Sequence, residues 1–212
     1  SLNIKLLITV KLLLTTLKIL ITNKYNMKKI YTLILSIFMT VMSWGQCTSI
    51  TTPSTENFDS ETPVTSSVYC STTFTFAGCW TNDATNESDW IVRTGTTGSF
   101  GTGPSSDYSG SGNYVFTEAS SCYNKTNYLV SGDFDISSLT TPMVSFQYHM
   151  YGSQMGSLTV QASEDGGSTW TDYWTLSGDQ GNSWIQANVP LCGIASSSIK
   201  VRMKGVTGSG YG

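Results

Sequence analysis

The chain of 212 residues changes composition near Gly45, from an apolar, lysine-studded stretch without a single acidic residue to a Ser/Thr/Gly/Asn-rich remainder that holds all 14 Asp and Glu. Only 5 of the 11 Lys and Arg follow Gln46, so the remainder carries a net charge of −9 while the whole chain stands at −3. An acidic domain repels phosphate backbones, which argues against nucleic acid as a partner, and about 165 residues are enough for one domain with a real core.

Taken in chain order, residues 1–26 precede a good start methionine, and Lys5, Lys11 and Lys18 interrupt what would otherwise be a membrane span. They read as translated upstream sequence. Met27-Lys28-Lys29 then opens a signal-peptide pattern: two lysines, an apolar run from Ile30 to Met42, and Ser43-Trp44-Gly45 with small residues at the −3 and −1 positions. The apolar run is shorter than the ~20 residues that a span requires. Cleavage is predicted before Gln46, with residues 46–57 as a linker and the domain proper over 58–212.

All five cysteines, Cys47, Cys70, Cys79, Cys122 and Cys192, lie in the exported part, where disulfides are permitted. The odd count leaves one thiol without an internal partner. Spacing does not fix the connectivity; Cys70–Cys79 and Cys122–Cys192 are the pairs to test first. No Cys-x-x-Cys occurs and His149 is the only histidine, which speaks against a structural zinc site.

Strand-period alternation marks Trp90–Arg93, Tyr114–Thr117 and Tyr128–Ser131, then Val144/Phe146/Tyr148/Met150, Leu158/Val160/Ala162, Ile185/Ala187/Val189/Leu191 and Ile199/Val201/Met203. Gly-rich turns separate the later runs, and no helical period stands out. Regularly spaced short strands predict an all-β sandwich or barrel. Residues 95–112 read as a long ordered loop, since Phe100, Pro104, Asp107 and Tyr108 are specific residues rather than filler. Ser163-x-Asp165-x-Gly167-x-Thr169-Trp170 fits the Asp-box pattern, a braced hairpin. A single copy, with Arg93 and Arg202 as the only arginines, does not make a sialidase propeller.

His149 stands on the face opposite Phe146, Tyr148 and Met150, without a nucleophile motif beside it, and reads as structural or surface. Trp80, Trp90, Trp170, Trp174 and Trp184 could stack on sugars but in a sandwich are more often core. Asn86-Glu87-Ser88 and Asn124-Lys125-Thr126 are glycosylation sequons.

Several segments together resemble the MAM family, the extracellular modules of meprins, neuropilins and receptor tyrosine phosphatases. Phe58-Asp59-Ser60-Glu61 is similar to its Phe-Asp-Phe-Glu opening, and Cys79-Trp80 with Asp89-Trp90 to its Cys-Gly-Trp and Asp-(Phe/Trp) segments. Gly103-Pro104-Ser105-Ser106-Asp107 resembles its Gly-Pro-Ser-x-Asp loop. Phe146-Gln147-Tyr148-His149-Met150-Tyr151-Gly152, Gly178-Asp179-Gln180-Gly181-Asn182-Ser183-Trp184 and the Gly205–Gly212 stretch follow in the family's order. The resemblance implies a jelly-roll antiparallel β-sandwich with its last strand missing beyond Gly212. It implies a non-catalytic, secreted or cell-surface recognition module that binds a protein partner or itself. It also implies a structural Ca²⁺ held by Glu61 and Asp107, for which hard carboxylate oxygens are suited; Asp59 is the weaker candidate, because strand alternation puts it on the face opposite Glu61's neighbours. Two alternatives are a carbohydrate-binding module for glycans and the accessory domain of a larger secreted metalloprotease. No His-Glu-x-x-His is present in these 212 residues. An insertion containing Cys70 departs from the family pattern.

Overall fold

The computed structural model describes residues 47, 49–65 and 70–210. The upstream segment 1–26, the signal peptide 27–45 and its cleavage site before Gln46 lie outside the described residues. Among the described residues the regular structure is all strand: β1 (Ile50–Thr51), β2 (Trp80–Asn82), β3 (Trp90–Thr94), β4 (Asn113–Thr117), β5 (Thr126–Ser131), β6 (Phe134–Asp135), β7 (Met143–Tyr148), β8 (Ser157–Ser163), β9 (Thr171–Ser177), β10 (Ile185–Pro190) and β11 (Ser198–Val206).

The nine-residue β11 is the spine of the larger sheet. β8 and β5 both pair antiparallel with it over Arg202–Val206, one on each edge, so that Met203 stands opposite Val160 on one side and Leu129 on the other. β9 extends the sheet beyond β8, and β2 extends it beyond β5. The short β6 pairs with the first residues of β11, and β1 adds parallel to β6. Two antiparallel ribbons, β3–β4 and β7–β10, form the second layer.

Period-two alternation decides what lies between the layers. Val144, Phe146 and Tyr148 of β7 and Ala187 and Val189 of β10 point inward onto Val160, Ala162, Ile199 and Val201. Trp90, Val92 and Val115 of the other ribbon meet Trp80, Leu129 and Phe76. Phe134 and Met203 touch both groups, which joins them into one interior. Fully burying side chains such as Leu129, Val160 and Val189 stabilises the fold by roughly 1.5–3 kcal/mol each.

The loop between β2 and β3 is held by asparagine side chains that act as short pieces of strand. Asn82 Nδ2 donates to the Trp90 carbonyl (2.9 Å) while its Oδ1 accepts the Trp90 amide (2.9 Å). Asn86 does the same with the amide (2.6 Å) and carbonyl (3.0 Å) of Tyr128. A side-chain amide has the same donor–acceptor pair as a peptide group, so it can close a ladder where no strand is available.

The disulfides differ from the pairs favoured by spacing. Cys47 bonds Cys79 and Cys70 bonds Cys122, while Cys192 is the exposed free thiol. Neither Cys70–Cys79 nor Cys122–Cys192 forms. The reason is topological. The Ile50 amide donates to the Asp133 carbonyl, and the Gly132 amide to that of Cys79, which brings both ends of the first bridge to one turn. Cys122 is fully buried, whereas Cys192 sits exposed in the turn after β10. Cys47 and β1 (Ile50–Thr51) are tied to the sheet, by the bridge to Cys79 and by pairing with β6.

Candidate functional site

Three features outside the core carry chemistry: the 95–112 loop, the carboxylates beside it, and the rings around His149. The loop is ordered by hydrogen bonds from Trp184 and Tyr114 outside it and by its own polar groups. Trp184 Nε1 donates to the Ser106 carbonyl (2.9 Å), Tyr114 Oη to that of Gly95 (2.9 Å), and the Thr97 amide to that of Pro104 (3.4 Å). Asp107 closes the far end, accepting the Ser109 amide and hydroxyl (3.0 and 2.6 Å) and the Gly112 amide (2.8 Å). Burial pushes the Asp107 carboxyl up, but those donors outweigh it and leave its pKa below the ordinary value. From this braced loop Phe100 projects with full exposure (104%) and Tyr108 with 65%.

Of the two predicted cation ligands, Glu61 is held by backbone amides. It is buried, and its two oxygens accept the Ala77 and Gly78 amides at 2.8 Å each, which clamps the turn before β2. The carboxylate brought to Asp107 is that of Asp59. A Cβ placed on Gly112 would sit 2.7 Å from Asp59 Oδ1 and 2.8 Å from Asp107 Oδ2, so the two acids close on a space that only glycine leaves open. Asp59 also accepts the Asn113 amide (2.8 Å). Strand alternation had ranked Asp59 below Glu61, but residues 58–61 form a turn, with Phe58 at φ 59°, so alternation does not apply there. Among the described residues no three acidic, His or Cys side chains gather as a cation-binding group.

His149 lies one residue past β7. Its Nε2 is 3.0 Å from Asn182 Oδ1, and its ring centroid is 5.5 Å from that of Trp184 and 6.3 Å from that of Tyr151. Burial lowers its pKa, partly opposed by the Asn182 contact. Of the five tryptophans singled out, Trp80 and Trp90 are core; Trp170, Trp174 and Trp184 are half-buried. Arg202 stacks between the Tyr128 and Trp170 rings, 4.1 Å from each centroid.

The Asp-box hairpin is braced as predicted. Asp165 accepts the Thr169 amide (2.8 Å) and hydroxyl (2.7 Å) and the Ser163 hydroxyl (2.7 Å), and Ser163 Oγ accepts the Gly167 amide (2.8 Å). The first sequon has its Asn86 amide locked on Tyr128 and Ser88 buried, while Asn124 of the second is exposed in a left-handed turn.

The family model described as MAM domain, meprin/A5/mu, matches residues 64–212. MAM domain-containing glycosylphosphatidylinositol anchor protein 1 of Rattus norvegicus is 38% identical over 141 residues, which is 62% of this chain and 14% of that protein. Neuropilin-1 of Xenopus laevis is 31% identical over 116 residues, 53% of this chain and 12% of that protein. The chain thus spans about one seventh to one eighth of the length of these relatives. Among solved structures, the K1 cleaved adhesin domain of Lys-gingipain from Porphyromonas gingivalis W83 aligns with a TM-score of 0.47 at 15% identity, covering 74% of this chain and 89% of that one. Among the described residues no helix is long and apolar enough to cross a membrane.

Proposed function

The chain belongs to the MAM domain family, and from that premise we propose that it is a secreted or cell-surface recognition module that binds a protein partner through its 95–112 loop. One observation carries the choice of surface. Phe100 and Tyr108 are large exposed aromatics on a loop already held by Trp184, Tyr114 and Asp107. Aromatic anchors dominate binding energy at interfaces, and a pre-ordered loop loses little entropy when it docks. The role is binding rather than catalysis, in keeping with a His149 whose Nε2 is engaged by an amide and whose ring is packed between Trp184 and Tyr151.

The test is a surface-protein binding panel with the purified chain, alongside analytical ultracentrifugation for self-association. A Phe100→Ser/Tyr108→Ser double variant should lose the interaction at unchanged stability. A wild-type chain that stays monomeric and binds nothing would remove the reading. Binding that survives the double variant would move it to another surface.

Calcium stabilisation is a second element of the proposal. Asp59 and Asp107 would supply carboxylate oxygens beside Gly112, with water or backbone carbonyls completing the six to eight oxygens that Ca²⁺ takes. The cation would neutralise the two acids and tie the opening turn to the loop. A melting temperature that is the same in excess calcium and in chelator would remove this element.

A further inference from the structure

We propose that the outer face of the β7–β10 ribbon is a binding track for a neutral oligosaccharide. The two strands pair antiparallel with Asn188 opposite Ser145 and Gln186 opposite Gln147. Because Val144, Phe146, Tyr148, Ala187 and Val189 fill the interior, these four polar residues stand on the outside. They form one row along the ribbon. Ser145 Oγ donates to Asn188 Oδ1 (2.8 Å), and Gln186 Nε2 reaches both Ser145 Oγ (3.1 Å) and Asn188 Oδ1 (3.2 Å). That network holds the amides in place and leaves Asn188 Nδ2, Gln186 Oε1 and the Gln147 amide to bond a ligand.

At its far end the row runs into rings. His149 and Trp184 stand side by side, followed by Tyr151 and Asn182. The last two also line a cleft of about 230 Å³ together with Thr96, Thr97 and Phe100. From Ser145 to His149 the track covers about 13 Å at the rise of an extended strand, the length of a short oligosaccharide.

Charge selects the ligand class. The domain carries −9, yet neither strand directs a charged side chain outward on this ribbon. Asp179, beyond the end, is occupied by the Gly152 and Gly181 amides. With no cation on the track there is nothing to bind a phosphate, sulfate or uronate, and with no anion nothing to select a basic peptide. A protein interface would present an apolar centre, whereas only Met143, at the opposite end, is a large exposed apolar side chain here. Amides that both donate and accept match sugar hydroxyls, which do the same, and ring faces at one end match the apolar face of a pyranose.

The ribbon is a different face from the protein-binding loop, the two meeting only where Phe100 lines the end cleft, and the test separates them. The purified chain is titrated with neutral pentaoses built on β-1,4-glucose, β-1,3-glucose, β-1,4-mannose, β-1,4-xylose and β-1,4-N-acetylglucosamine, with amide NMR shifts as the readout. One of them should shift residues of β7 and β10 and the 149–152 and 182–184 segments. Gln147→Ala/Gln186→Ala, both on the surface, should weaken that binding by about tenfold, equivalent to about 1.4 kcal/mol. Tyr108→Ser should leave it unchanged while lowering protein binding. No shift with any pentaose at millimolar concentration would overturn the inference. So would shifts confined to other faces, wild-type affinity in the double variant, or a protein partner whose hydrogen-exchange footprint covers this ribbon.

Discussion

Replacing Asn82 with Asp changes one side-chain nitrogen to oxygen and tests whether side-chain amides close the sheet. Asn82 makes four hydrogen bonds. Nδ2 donates to the carbonyls of Trp90 (2.9 Å) and Phe74 (3.2 Å), and Oδ1 accepts the Trp90 amide (2.9 Å) and Asn86 Nδ2 (3.2 Å). Aspartate keeps the two acceptor contacts and turns an oxygen toward the two carbonyls. An unsatisfied buried group costs about 1–3 kcal/mol. Here a cleft of about 300 Å³ lined by Asn82, Asn86 and Asp89 lets water reach the site, so the lower half of that range applies to each carbonyl, about 2–4 kcal/mol in total. For a domain of this size that lowers the melting temperature by roughly 4–16 °C. The new carboxyl has a folded pKa raised above its unfolded value, since its anion faces carbonyls. The destabilisation is therefore complete at neutral pH and shrinks as pH falls through the folded pKa, where the protonated acid can donate again. Urea unfolding at pH 7 and pH 4 measures both. A variant within about 0.5 kcal/mol of wild type at pH 7 would refute the reasoning.

A Cβ on Gly156 would lie 1.8 Å from the Val206 carbonyl oxygen, against backbone that cannot yield; Gly156→Ala should cost more than about 3 kcal/mol, read by proteolysis and melting. Cys70→Ser opens the bridge that spans 52 residues and should cost about 2–5 kcal/mol in urea unfolding, whereas Cys192→Ser should stay within about 0.5 kcal/mol of wild type. A thiol assay of the unreduced, unfolded chain should count one free cysteine. The amide and hydroxyl of Thr169 and the hydroxyl of Ser163 hold Asp165 far below the ordinary carboxylate range. A depressed folded pKa contributes stability that is present above the unfolded value near 4 and lost as pH falls below it. Asp165→Ala should therefore lower stability at neutral pH and flatten its decline between about pH 4 and pH 2; an unchanged acid limb would contradict the bracing.

The strands that the sequence displays are those whose two faces differ. Ile185–Pro190 alternates because Ala187 and Val189 are buried while Gln186 and Asn188 are wet. β9 escapes the same test because a register shift opposite Val160 and Gln161 puts Tyr173 and Trp174, which are adjacent, both partly inside. β1, β2 and β6 have two or three residues and show no period. The Asp-box was readable because its bonds are local. The acid pair was not, because Asp59 and Asp107 meet only where the opening turn crosses the loop at Gly112. Disulfide pairing failed for the same reason: it depends on which turns the sheet brings together. The β7–β10 track left a faint trace, the run of uncharged polar residues at outward positions, but its meaning needs the register that sets Ser145 against Asn188.

Trp184 joins the two surfaces, and that gives a way to separate them. Its ring packs on His149 (5.5 Å) and edge-on to Tyr114 (5.9 Å), while its indole nitrogen holds the Ser106 carbonyl (2.9 Å). Phenylalanine keeps most of the ring contact and removes the donor. The net loss is that of one neutral hydrogen bond, about 1 kcal/mol, and it falls on the 95–112 loop. Trp184→Phe should therefore release the loop, seen as faster hydrogen exchange there, and weaken protein binding, because the partner must then order Phe100 and Tyr108 itself. The ribbon is held by its own ladder and by the core behind it, so oligosaccharide shifts on Ser145, Gln147, Gln186 and Asn188 should persist. If both activities fall together, the two surfaces form one site. If neither changes, the indole donor is not what orders the loop.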